Sequence, residues 1–161
     1  MNSPQVGAAL TGALSPTKAI LYGTLVAGAL DATDGVVFFG LQGLNPIQVL
    51  QYIASGLLGQ QSFQGGLATA GLGVLLHFGI AAVVAATYVV AGLKLPILRG
   101  QAVVLGLLYE AAVYLVMNLI VLPMSAVAHT PITTAALLNG LIGHALFVGL
   151  PIAFFARKVA A

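Results

Sequence analysis

The sequence predicts an all-α integral membrane protein: four transmembrane helices in an up-down bundle, with one short interfacial helix between the first two. Composition is the first observation, since 60% of the 161 residues are hydrophobic, 5% are charged and the mean hydropathy is +1.10. Soluble domains carry about 25% charged residues. The second observation is that the chain holds four apolar stretches of about 20 residues or more, the length that crosses a bilayer as a helix.

Each stretch is expected to be helical, because lipid offers no partner to backbone N–H and C=O groups. The predicted spans are residues 17–40, 66–93, 101–123 and 131–155, within a single domain of residues 1–161. Residues 46–59 are too short to span and predict the interfacial helix, with Asn45 as its N-cap and Pro46 in its first turn.

The positive charges predict the orientation of the chain. All five lie at the same end of the predicted bundle: Lys18, Lys94, Arg99, Arg157 and Lys158. The positive-inside rule therefore places both termini in the cytoplasm, in a multi-pass protein of the cell (inner) membrane. The N-terminus has no basic region before an apolar core, so no cleaved signal peptide is predicted.

The acidic residues are the unusual feature of the sequence. The chain has three, Asp31, Asp34 and Glu110, and each lies inside an apolar stretch. A helical rise of 1.5 Å per residue places them, with His77 and His144, in the middle third of a bilayer about 30 Å thick. A charge at that depth costs about 2.5–3.5 kcal/mol, and no Lys or Arg lies there to pair with it. Protons, protonated histidines or a metal ion must therefore neutralise the carboxylates.

Our leading hypothesis is a divalent metal ion, Zn, Fe or Mn, bound by the five ionisable residues Asp31, Asp34, His77, Glu110 and His144. Mixed nitrogen and oxygen ligands without sulfur suit these metals. The ligand types resemble those of the di-iron and di-manganese carboxylate bundles, although the Glu-x-x-His pair of those proteins is missing here. Three more polar residues are predicted to surround the site or to line a path to it: Tyr114, Asn118 and Asn139.

Other functions remain open at this point. The same residues could form a proton or ion relay without metal, or His77 and His144 could ligate haem b. The polar groups could also serve only packing, as in a structural subunit of a larger membrane complex. Transport by four helices is expected to require a homodimer or a larger complex. His129 is interpreted as a solvated loop residue.

Some functions are excluded. Five cations do not form a nucleic-acid patch, so the lipid bilayer is the predicted partner and nucleic acid is not. No motif assigns an enzyme activity.

Overall fold

The computed structural model describes residues 13–128 and 131–160, and these residues are mostly helical with no β-strand among them. We label six helices: α1 (Pro16–Gly40), α2 (Pro46–Leu58), α3 (Gly66–Lys94), α4 (Pro96–Gly100), α5 (Ala102–Met124) and α6 (Thr134–Ala156). A 3₁₀ turn, Gly59–Gln64, joins α2 to α3. Helices α1, α3, α5 and α6 are long and apolar enough to cross a membrane, which confirms the predicted class.

The helix starts follow from local capping. Asn45 and Gln48 form a capping box, in which each side chain accepts a hydrogen bond from the other residue's backbone N–H, at 3.0 and 2.9 Å. Thr133 accepts from the N–H of Ala136. Helix α6 therefore begins three residues later than residue 131, where the apolar pattern predicts its start, because Thr133 is its cap.

Helices α5 and α6 each contain a π-helical segment. The segments are Met117–Val121 and His144–Gly149, and each ends shortly before a proline, Pro123 or Pro151. Proline has no N–H and its ring clashes with the preceding turn, so the regular hydrogen-bond ladder is interrupted there. A π turn absorbs that interruption without ending the helix.

Small residues bring α5 and α6 into backbone contact. A Cβ added at Gly149 would lie 3.0 Å from the Cβ of Glu110, and closer still to the carbonyl oxygen of Gly106. In a membrane, where apolar side chains gain nothing by leaving lipid, such close packing is a main source of helix association. The crossing of α5 and α6 therefore depends on glycine at both Gly106 and Gly149.

The packed core lies mostly in one half of the molecule, which we call the α4 half because it contains α4, the start of α1 and the end of α6. Leu14 and Val159 are paired there through an isolated β-bridge. The buried residues of this core are Ala19, Ala27, Ala85, Tyr88, Val89, Ala102, Val148, Ile152, Ala153, Ala156 and Val159. The opposite half, which we call the α2 half, buries fewer side chains of α6.

Helix α2 is tied to its surroundings by backbone and side-chain contacts. Its Leu50 carbonyl lies where a Cβ at Gly73 would be, so α2 and α3 touch directly. The Gln51 amide donates to the carbonyl oxygen of Gly66 at 3.0 Å. The N–H of Ala126, just after α5, donates to the carbonyl oxygen of Gly56 at 2.9 Å. Helix α2 thus joins the α3 start to the α5 end.

Candidate functional site: a carboxylate–imidazole chain

Glu110 is the most deeply buried ionisable residue of the site. It lies on α5 just beyond the contact with Gly149 and is 1% exposed. Its Oε1 shares a hydrogen bond of 3.0 Å with Nδ1 of His144, which is the first residue of the π segment in α6. Its Oε2 is buried and has no hydrogen-bond partner among the described residues. The predicted carboxylates and histidines therefore include a buried Glu110–His144 pair.

Asp31 lies between two imidazoles. Its Oδ1 is 3.6 Å from Nε2 of His144, and its Oδ2 is 3.9 Å from Nδ1 of His77. Both separations exceed a direct hydrogen bond but fall within the range at which opposite charges interact. The four side chains form a row, His77, Asp31, His144 and Glu110, which we call the carboxylate–imidazole chain.

The His77 nitrogen that does not face Asp31 is bonded to the backbone. Nε2 lies 2.8 Å from the carbonyl oxygen of Gly28, which can only accept, so this nitrogen carries a proton. Gly28 also lets α1 and α3 approach closely here, because a Cβ at this position would lie 2.6 Å from the ring of Phe78. The sequence did not indicate a backbone acceptor for His77.

Asp34 is engaged elsewhere. Its Oδ2 accepts a hydrogen bond of 2.8 Å from the side-chain amide of Asn139. The same oxygen would lie 2.8 Å from a Cβ at Gly143, so the carboxyl group packs against the α6 backbone. Asp34 is one helical turn from Asp31 toward the α2 half, and the Asp34–Asn139 pair extends the polar groups in that direction.

The other two predicted neighbours differ in their contacts. The Tyr114 ring packs on the His144 imidazole, with centroids 5.2 Å apart, and its hydroxyl lies 3.4 Å from the carbonyl oxygen of Ala136. The Asn118 amide donates to the carbonyl oxygen of Tyr114, at 2.9 Å, within its own helix. Tyr114 thus borders the carboxylate–imidazole chain, whereas the Asn118 side chain bonds within its own helix.

The positions of the carboxyl groups around His144 limit how a single metal ion could bind. Glu110 and Asp31 face opposite nitrogens of the His144 ring, so one ion cannot take all three groups through the atoms that now face each other. Among residues 13–128 and 131–160, no three His, Asp or Glu side chains are arranged to hold a metal ion. His129 lies outside the described residues.

Comparison with known proteins yields no relative. No protein-family model, no curated protein and no solved structure matches this chain. The fold and the site therefore define the protein by themselves, as a helical membrane protein with a buried Glu110–His144 pair at the end of a polar row.

Proposed function

We propose that this protein is an intramembrane proton relay, in which the carboxylate–imidazole chain binds protons and passes them along its length. The observation that carries the proposal is the position of His144, whose two ring nitrogens face Glu110 on one side and Asp31 on the other. An imidazole can accept a proton at one nitrogen while releasing one from the other. This is the property a relay requires.

Proton counting supports the proposal. The row contains three contacts between a ring nitrogen and a carboxylate oxygen, plus the bond from His77 to Gly28. With one proton in each contact, two imidazoles and two carboxyls carry no net charge, wherever in each contact the proton lies. The row can thus stay neutral in a medium of low dielectric constant while its protons shift together. Isolated charges at that depth would be far more costly.

The packing supports entry from one side. Beyond Glu110 toward the α4 half lie the buried apolar residues Ile152 and Ala153. Toward the α2 half, Asp31 is followed by the Asp34–Asn139 pair. We propose that protons enter from the α2 half, reach Glu110 last and leave it toward the α4 half, which requires the apolar contact around Ile152 and Ala153 to open.

Metal and haem binding stay predictions. A bound Zn, Fe or Mn ion would need the side chains to turn from the arrangement described above, in which His144 separates the two carboxyl groups. Haem b would need its plane between His77 and His144, where Asp31 now lies. Proton sharing needs only that the separations of 3.6 and 3.9 Å between Asp31 and the two imidazoles be closed, directly or through a water molecule, and for that reason we favour it.

We further propose that α1, α3, α5 and α6 run up and down across the inner membrane, with both termini cytoplasmic and α2 at the opposite interface. The bond from the Leu14 N–H to the Lys158 carbonyl oxygen, at 2.8 Å, supports a common side for the start of α1 and the end of α6. Because the chain has no cysteine, single variants can be labelled without background. Gln64→Cys and Gln101→Cys should react with impermeant reagents from opposite sides; labelling from the same side would refute this topology.

Proton flux tests the relay. Purified protein is reconstituted in liposomes that contain a pH-sensitive dye, and a potassium gradient with valinomycin drives protons inward. Glu110→Gln and His144→Phe should each lower the flux by about a hundredfold or more, since each removes a group that must bind a proton. Thr87→Val is the matched control, because the Thr87 hydroxyl donates to the Val83 carbonyl oxygen and lies beside Tyr109, not beside a member of the row.

Two results would contradict the relay. One is wild-type protein that conducts no more protons than protein-free liposomes. The other is flux that survives in both variants at the level of the Thr87→Val control. A stoichiometric divalent metal that is lost in both variants would transfer the site to the metal hypothesis.

A further inference from the structure

A cleft opens at the α4 end of the molecule, far from the carboxylate–imidazole chain. Its volume is about 460 Å³, and it lies between the turn that joins α4 to α5 and the end of α6. The residues that line it are Arg99, Gly100, Gln101, Ala102, Val103, Val104 and Arg157. Two guanidinium groups therefore stand at one opening.

An apolar groove continues from this cleft along the outside of α5 and α6. The groove has a volume of about 200 Å³ and shares Ala102, Val103 and Arg157 with the cleft. From Arg157 it extends along α6 past Phe154 to Leu150. Seven residues of helix correspond to about 10 Å. The combined surface is charged at the membrane boundary and apolar below it.

The cations at this end have no Asp or Glu side chain to pair with. All three acidic side chains belong to the middle of the helices. In every ion pair among the described residues the basic partner is a histidine, not a lysine or an arginine. Arg157 and Lys158 both approach the Phe154 ring, with the guanidinium carbon 5.6 Å and the ammonium nitrogen 4.1 Å from its centroid. Charge complementarity therefore points to an anion supplied from outside the chain.

Arg99 is held in place for such an anion. Its Nη1 donates to the carbonyl oxygen of Val159 at 3.1 Å, which fixes the side chain at the edge of the cleft. The first turn of α5, which lines the same cleft, has no side-chain cap and no acidic residue. Free N–H groups at a helix start favour an anion there.

We propose that the cleft and the groove together bind one anionic phospholipid. Its phosphate lies against Arg99, Arg157 and the start of α5, and one acyl chain follows the groove past Phe154. A soluble phosphate would use only the charged part of this surface, whereas a phospholipid matches both parts and is present at high concentration around the helices. The site is independent of the proposed relay.

Tryptophan quenching tests the proposal, because the chain has no tryptophan. Leu108→Trp places a probe one turn beyond Val104, at an exposed position outside the lining residues. The protein is reconstituted in phosphatidylcholine with increasing fractions of either brominated phosphatidylglycerol or brominated phosphatidylcholine. The anionic lipid should quench at lower mole fraction, and Arg157→Gln or Arg99→Gln should each lower its relative association constant about fivefold.

Lys18→Gln is the matched control, since Lys18 is a cation near the same end of the molecule, on α1 and outside the cleft. It should change the preference less than about twofold. The proposal fails if both brominated lipids quench equally, or if the preference persists in Arg157→Gln, an exposed position where folding is not at risk. It also fails if millimolar glycerol phosphate abolishes the preference, because the site would then bind the soluble anion.

Discussion

Gly149→Ala should separate the carboxylate–imidazole chain at its most buried contact. The added Cβ would lie 3.0 Å from the Cβ of Glu110 and closer to the Gly106 carbonyl oxygen, whereas carbon atoms in contact prefer about 3.5–4.0 Å. Helices α5 and α6 must therefore move apart by about 0.5–1 Å. The Glu110–His144 separation of 3.0 Å would then exceed the usual range of an N–H···O bond.

The expected cost is about 1–3 kcal/mol in the free energy of unfolding, as for other overpacked interiors. Unfolding can be followed by circular dichroism during titration with sodium dodecyl sulfate, and proton flux should fall in the same variant. Gly79→Ala is the matched control, because Gly79 lies in the helical interior of α3 with nothing within 4 Å of an added Cβ. Wild-type stability and wild-type flux in Gly149→Ala would refute the role assigned to this crossing.

Three further predictions concern the polar groups. His77→Phe keeps an aromatic ring but removes one of the two imidazoles that face Asp31, so proton flux should fall at least about tenfold while the Glu110–His144 pair stays intact; unchanged flux would remove His77 from the relay. Asn139→Leu removes the donor to Asp34 and should lower stability in detergent by about 0.6 kcal/mol, the average for such bonds; a stabilised variant would contradict the bond. Elemental analysis of purified protein should find well under one divalent metal per chain, and a stoichiometric metal would argue against the relay.

The sequence was sufficient to predict the four long helices, because composition and length decide whether a segment can cross a bilayer. It also predicted which ionisable residues lie in those helices, since residue counting needs only the helical rise. The start of α6 was placed too early because the apolar pattern continues back to residue 131, whereas the Thr133 side chain decides where the helix begins.

The arrangement within the site could not be read from the sequence. Counting along helices gives depth but not rotation about each axis, and rotation decides that His144 lies between Asp31 and Glu110 while Asp34 pairs with Asn139. The two prolines were visible, yet nothing in the pattern showed that each would follow a π segment. The Gly28 carbonyl as a partner for His77 was equally hidden, because backbone acceptors leave no signature in residue type.

The π segment that begins at His144 has a consequence for how this helix tolerates insertions and deletions. A π turn holds more residues than an α turn, so it shifts the register of every residue on one side of it by up to about 100°, the rotation per residue of an α-helix. Deleting Ala145 would let the segment return to regular α-helix and would leave α6 continuous and apolar. The half that carries Asn139 would, however, be rotated relative to the half that carries Ile152, and these two faces could no longer meet their present neighbours together. The extra residue therefore aligns two helix faces that a regular helix with this spacing would point in different directions.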